Sequence, residues 1–212
     1  MLSNVLRVAA GAALAAGLVT GPAGPASAAA TCAYTPDGKA AGSVGTPPGD
    51  VSRLRPYAAT LRTNHGDVVF EALTAKAPCT TNSFAYLAGR KYFDGTTCHR
   101  LTTAGIFVLQ CGDPTGTGSG GPGYRFGDEN LTGAVYPAGT VAMANAGPGT
   151  NGSQFFLVHE DSRLPPAYTP FGRITRNAHV LDEIARKGTK HGGGDGAPKQ
   201  EVIVNSVGIA AR

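Results

Sequence analysis

Tryptophan is absent from this sequence and aromatic residues make up only 7% of it. Any apolar binding surface must therefore be assembled from a few Phe, Tyr, Leu and Val side chains. Charge is scarce as well, at 15% of residues with a net charge of +4. Its basic residues are scattered among acidic ones, so no tract grips a phosphate backbone and no nucleic-acid partner is expected. Cysteine occurs four times, at Cys32, Cys79, Cys98 and Cys111, with no C-x-x-C pair. That spacing argues against a metal site and against thiol catalysis. Long apolar runs are missing too. The longest candidate, Val8 to Val19, is shorter than the roughly 17 to 25 residues that span a bilayer.

That short run has a different use. Arg7 closes a basic n-region, Val8 to Val19 forms the apolar stretch, and Pro22 and Pro25 precede the small-residue run Ala26 to Ala30. The pattern is a secretory signal over residues 1–28, cleaved after Ala28. Thr31 ahead of Cys32 does not fit a lipoprotein signal. Secretion or residence in the cell envelope, outside the cytoplasm, makes two disulfides the default reading of four cysteines, with three connectivities open.

Glycine (31) and proline (15) are abundant among 212 residues, which favours short strands joined by turns around a single core. Residues 29–56 are Gly- and Pro-rich without apolar periodicity and read as an extended lead-in to a domain over 57–212. Two β-rich runs flank His65-Gly66-Asp67, a composition suited to a hairpin turn. Pro78 marks a helix start, with Phe84, Leu87 and Ala88 at helical spacing and Gly89 as a stop. Strands are predicted over 98–102, 107–110, 139–144, 154–159, 171–174 and 201–209, and a second helix over 180–187. The expectation is a mainly β protein: a closed antiparallel β-barrel capped by two short helices.

The segments FDGTTCHRL, FVLQCGDPTGTGSGG, FGDEN, VAMANAGPGTNGSQFFLV and YTPFGRI follow in order between Phe93 and Ile174. In order and spacing they resemble the signature segments of the cyclophilin family of peptidyl-prolyl cis/trans isomerases, from about Ala58 onward. The run MANAGP-x-TNGSQFF is the most specific of them. The resemblance implies a cyclophilin-like barrel and a non-covalent isomerase (EC 5.2.1.8) without cofactor or metal. It would act on proline-containing unfolded or extended polypeptides and assist the folding of exported proteins; a monomer is the default for such a barrel. Arg100 matches the family's catalytic arginine. Phe107, Val108 (where the family usually has Met), Gln110, Ala144, Asn145, Gln154 and Phe156 match its substrate groove. The chain is two residues longer between Arg100 and Gln110 than the family pattern, and the loop from Thr102 to Gly105 absorbs the difference. Leu164 stands where many members carry Trp and Tyr168 where they carry His. The resemblance ties that Trp to cyclosporin, so weak cyclosporin binding with retained catalysis is expected.

Physics accounts for the residue types. The barrier to rotation about the peptide bond is about 18 to 20 kcal/mol and arises from amide resonance. A clamp on the proline ring and one fixed donor that favours the twisted amide lower it without covalent chemistry. The rival reading is a peptide-binding holdase with the same groove and little turnover. His99, beside Arg100 on a strand, reads as a hydrogen-bonded interior histidine facing the other way. The G-x-G-x-x-G match at Gly116 to Gly121 reads as a surface loop, since Pro122 and Gly123 stand where a nucleotide-binding helix would start. His191 and Asp195 in HGGGDG read as a turn, and Ser153 lies outside any nucleophile elbow.

Overall fold

A computed structural model describes residues 31–212 except 39 and 43; the signal segment and its cleavage point lie outside the described residues. In chain order the elements are β1 (Thr35–Pro36), β2 (Tyr57–Thr63), β3 (Gly66–Ala72), α1 (Pro78–Gly89), β4 (Thr96–Thr97), β5 (Arg100–Thr102) and β6 (Val108–Cys111). There follow β7 (Tyr124–Arg125), β8 (Thr140–Met143), β9 (Phe155–Val158), β10 (Pro170–Arg176), α2 (His179–Lys187), β11 (Asp195–Gly196) and β12 (Ile203–Ala211).

The hairpin forms one residue earlier than its composition suggested. Thr63 pairs with Gly66, leaving Asn64 and His65 as the two-residue loop. The Thr63 hydroxyl closes it, donating to the Gly66 carbonyl at 2.6 Å and accepting from the His65 N–H at 3.0 Å. Helix α1 begins at Pro78 as expected, a position whose missing N–H costs nothing. Its free N-terminal donors are taken by Glu129, whose carboxylate accepts from the Cys79 and Thr80 N–H groups at 3.0 and 2.8 Å. An anion there also meets the positive end of the helix dipole.

Ten strands form one antiparallel sheet in the order β11-β5-β6-β9-β8-β10-β3-β2-β12-β4. The sheet is a curled half-barrel whose edge strands are β11 and β4; β4, paired with β12, and β5, paired with β6, are joined through Cys98 and His99. Side chains alternate across the sheet as strand geometry requires. Leu109, Val141, Met143, Phe155 and Leu157 point into the main core, joined by Phe84 and Leu87 of α1 and by Val180, Leu181 and Ile184 of α2. Phe84 is the hub, with ring centroids 5.1 to 5.5 Å from Phe93, Phe70, Phe155 and Phe171. The alternate residues Val108, Ala142, Phe156 and Val158 face the other way and form a second apolar cluster on the outside of the barrel.

The lead-in is stitched to this barrel rather than trailing from it. Cys32 is bonded to Cys79 at the start of α1, and Cys98 to Cys111 at the end of β6. Strand β1 pairs with β7, and the Tyr34 ring stands edge-on to Tyr124 and Phe126 at 5.5 Å each. Tyr86 donates its hydroxyl hydrogen to the Val44 carbonyl, and Asn82 its amide to that of Pro48.

Candidate active site

Cross-strand register assembles the site. Arg100 on β5 lies opposite Gln110 on β6, Gln110 opposite Phe156 on β9, and Phe156 opposite Ala142 on β8. One transverse row thus runs from a cation through an amide to an aromatic ring. Residues opposite one another on adjacent strands carry their side chains on the same face. This is why positions 100, 110 and 156, distant in the chain, converge.

The apolar end of the row is a shallow pocket. Val108 and Phe156 are buried, and Ile106, Ala144, Leu164 and Tyr168 pack on their cluster half-exposed. The Tyr168 ring meets Phe156 edge-on at 5.7 Å. Tyr136 braces it from beneath, its hydroxyl donating to the Tyr168 carbonyl at 2.8 Å and accepting from the Tyr168 N–H at 3.0 Å. Phe107, just ahead of β6, is half-buried. Its ring meets His159 edge-on at 5.9 Å and its N–H donates to the Ser162 hydroxyl at 2.9 Å. Ile106, outside the matched motif residues, packs against the same cluster.

The polar end is a relay. Arg100 donates from Nε and Nη2 to the two carboxylate oxygens of Asp195 at 2.8 and 2.7 Å, and from Nη1 to Gln110 Oε1 at 3.4 Å. Gln110 donates to Gln154 at 2.9 Å, and Gln154 to the carbonyls of Gly118 and Gly120 at 3.0 and 2.9 Å. The Asp195 hydrogen bond holds the guanidinium pKa up, and the same bond holds the Asp195 carboxyl below its ordinary range. Asn145 commits its side chain to the Ala167 carbonyl at 2.9 Å and the Gly147 N–H at 3.2 Å, so toward an incoming peptide it offers main chain. Between Gln110, Gln154, Asn145, Gly120, Asp37 and Arg125 lies an open pocket of about 580 Å³. Every sequence-predicted site residue falls on this outer face or its rim.

Three readings change. The HGGGDG segment is more than a turn: Asp195 and Gly196 form the edge strand β11 against Thr102 and Leu101, which brings Asp195 to Arg100. His99 is half-buried rather than interior, its ring beside Gly118, and both ring nitrogens are buried without a hydrogen-bond partner among the described residues. Burial accordingly pushes its pKa down, outweighing the opposing pull of Asp113. The Gly116 to Gly121 loop is a loop as expected, yet it is organised from within by the fully buried Asp113. That carboxylate accepts from the Thr115 N–H and hydroxyl and from the N–H groups of Gly118 and Gly120 at 2.7 to 3.0 Å. Ser153 is buried and donates to the Gly112 carbonyl at 2.7 Å, which leaves it no nucleophilic role.

Comparison with known proteins supplies the family. The family model described as cyclophilin type peptidyl-prolyl cis-trans isomerase matches residues 58–209. A probable peptidyl-prolyl cis-trans isomerase B of Mycobacterium tuberculosis is 48% identical over 180 residues, covering 78% of this chain and 56% of that one. The chain thus spans little more than half the length of that relative. Peptidyl-prolyl cis-trans isomerase B of Streptomyces anulatus is 40% identical over 174 residues, covering 73% of this chain and 97% of that one. Among solved structures, a cyclophilin type peptidyl-prolyl cis-trans isomerase of Cryptosporidium parvum superposes with a TM-score of 0.67 at 30% identity, over 74% of this chain and 99% of that one. The same protein in the presence of the dipeptide Ala-Pro gives 0.66 at 31% identity, over 73% and 99%. By family model, relatives and fold, the chain belongs to the cyclophilin-type peptidyl-prolyl cis-trans isomerase family.

Proposed function

We propose that this protein catalyses cis/trans rotation about X-Pro peptide bonds in exported or extracellular polypeptides, with residues 57–212 as the working domain and 29–56 as its stitched lead-in. The observation that carries the reading is the row from Arg100 through Gln110 to Phe156. It sets a permanent cation and an apolar pocket on one face at the separation of adjacent strands, about 5 Å per step. In this mechanism Phe156, Val108, Leu164 and Tyr168 hold the proline ring, with Phe107 at the rim. The peptide lies extended along Ala144 and Asn145, bonded by the Asn145 main chain and by Gln110, whose amide is oriented by Gln154.

As the bond twists, the prolyl nitrogen loses conjugation and regains its lone pair. The Nη1 donors of Arg100, the end of the guanidinium that Asp195 leaves free, favour that state over the planar amide. No bond to carbon forms or breaks. The two disulfides support a place outside the cytoplasm, where thiols persist oxidised.

The test is cis-to-trans exchange of a short X-Pro peptide by the purified protein beside Arg100→Ala. Wild-type turnover should fall by about two to three orders of magnitude in the variant, the scale of losing one transition-state donor. A folded wild type that binds the peptide without turning it over would establish the holdase instead.

A further inference from the structure

We propose that Asp195 is a positioning residue for Arg100, holding the guanidinium so that one defined edge of it faces the groove. The proposal rests on the isomerase reading above and deepens it. An arginine on an exposed sheet face has many rotamers, and the 3.4 Å contact with Gln110 is too long to select one. The fork to Asp195 does select one. Nε and Nη2 each donate to a different carboxylate oxygen, which fixes the guanidinium plane and stops rotation about the Cδ–Nε bond. Of the five N–H donors, the two on Nη1 and one on Nη2 are left, and Nη1 is the nitrogen aimed at Gln110.

Asp195 can act this way because its own backbone is fixed relative to Arg100. Strand β11 pairs Asp195 with Thr102 and Gly196 with Leu101, on the strand that carries Arg100. The Thr103 N–H donates to the Gly194 carbonyl at 2.8 Å, and the Lys190 N–H to that of Ala197 at 2.9 Å. Gly194 approaches the extra-long loop after β5 so closely that an added Cβ would stand 2.6 Å from that of Ala104. The lengthened loop and the HGGGDG segment therefore hold each other, and the acidic residue arrives at the arginine as a consequence. The two side chains are 40% and 55% exposed. An ion pair so exposed contributes little to folding stability, so the fold itself gives no reason for it.

The test compares wild type, Asp195→Asn, Asp195→Glu, Arg100→Ala and Arg100→Ala/Asp195→Asn, each with its thermal midpoint, in X-Pro exchange assays. Asp195→Asn should lower kcat/KM roughly tenfold through kcat, with KM and the midpoint little changed, because it loosens a group used in the transition state. Asp195→Glu should recover part of the loss, and Asp195→Asn should have no effect once Arg100 is gone. An Asp195→Asn protein as active as wild type or more so, or one whose loss tracks a lowered midpoint or persists without Arg100, overturns the positioning role. In those cases a large Arg100→Ala effect leaves the isomerase reading standing. Full turnover by Arg100→Ala would overturn the positioning role together with the arginine-assisted mechanism, whereas a wild type without turnover would overturn the isomerase reading itself.

Discussion

Replacing Asp113 by Asn should unfasten a wall of the groove without touching the groove itself. The carboxylate is fully buried and accepts four short hydrogen bonds, two on each oxygen. Asparagine keeps one acceptor and turns a donor toward the N–H groups at the other, so two bonds to a charged acceptor are lost. At about 1.5 kcal/mol each, the low end for bonds to a charged group, the loss is about 3 kcal/mol. For a domain of this size that is a fall in melting temperature of roughly 6 to 12 °C, measured by calorimetry at pH 7. Position 120 takes glycine because a Cβ there would stand 2.0 Å from the Asp113 carboxylate. Activity should fall too, because the Gly118 and Gly120 carbonyls that orient Gln154 belong to the same loop. A pH series supplies a second check. Burial pushes the Asp113 carboxyl up, but bonds from the Thr115 hydroxyl and the loop N–H groups outweigh it and leave its pKa below the ordinary value. Its stabilisation is therefore present above the unfolded pKa near 4 and lost as pH falls through the lower folded value. The gap between wild type and variant should close on acidification. A melting temperature within 2 °C of wild type at pH 7 would refute the claim that Asp113 organises the loop.

Removing the Cys32–Cys79 bond by a double Ala substitution opens a 47-residue separation, and the chain-entropy model puts the cost at about 4 kcal/mol. Denaturant unfolding should show it while X-Pro turnover in native buffer is unchanged; equal midpoints would mean that the lead-in is held by its hydrogen bonds alone. Cyclosporin should inhibit at least roughly 30-fold more weakly than it does a relative with the tryptophan, the scale of losing one large aromatic anchor. The chain has no tryptophan to supply that contact, and an inhibition titration that matched such a relative would reject the idea.

What could be read in advance follows from local chemistry. Short apolar runs located β6, β8 and β9, Pro78 located the start of α1, and the MANAGP-x-TNGSQFF run located the groove edge. The two-residue strands β1, β4, β7 and β11 are too short to show any period, so they were invisible. The HGGGDG segment looked like a turn for that reason. Glu129 caps α1 from about 50 residues away, and neither helix nor loop carries a mark of the other. His99 reads as interior from strand parity but is half-buried beside Gly118, because how deeply a ring sinks and whether it finds a partner depend on what packs against it.

The sequence alone determined the residue types of the site, the strand segments that carry Gln110 and Phe156, and the class of chemistry they permit. These depend on intervals of a few residues, where geometry is set by the backbone. Only the tertiary structure decided which cysteines pair, that Asp113 builds the glycine-rich loop, and that Asp195, 95 residues away along the chain, grips Arg100. Those contacts arise from the register and curl of the sheet, which sum weak preferences over the whole chain and leave no trace in any one stretch of it.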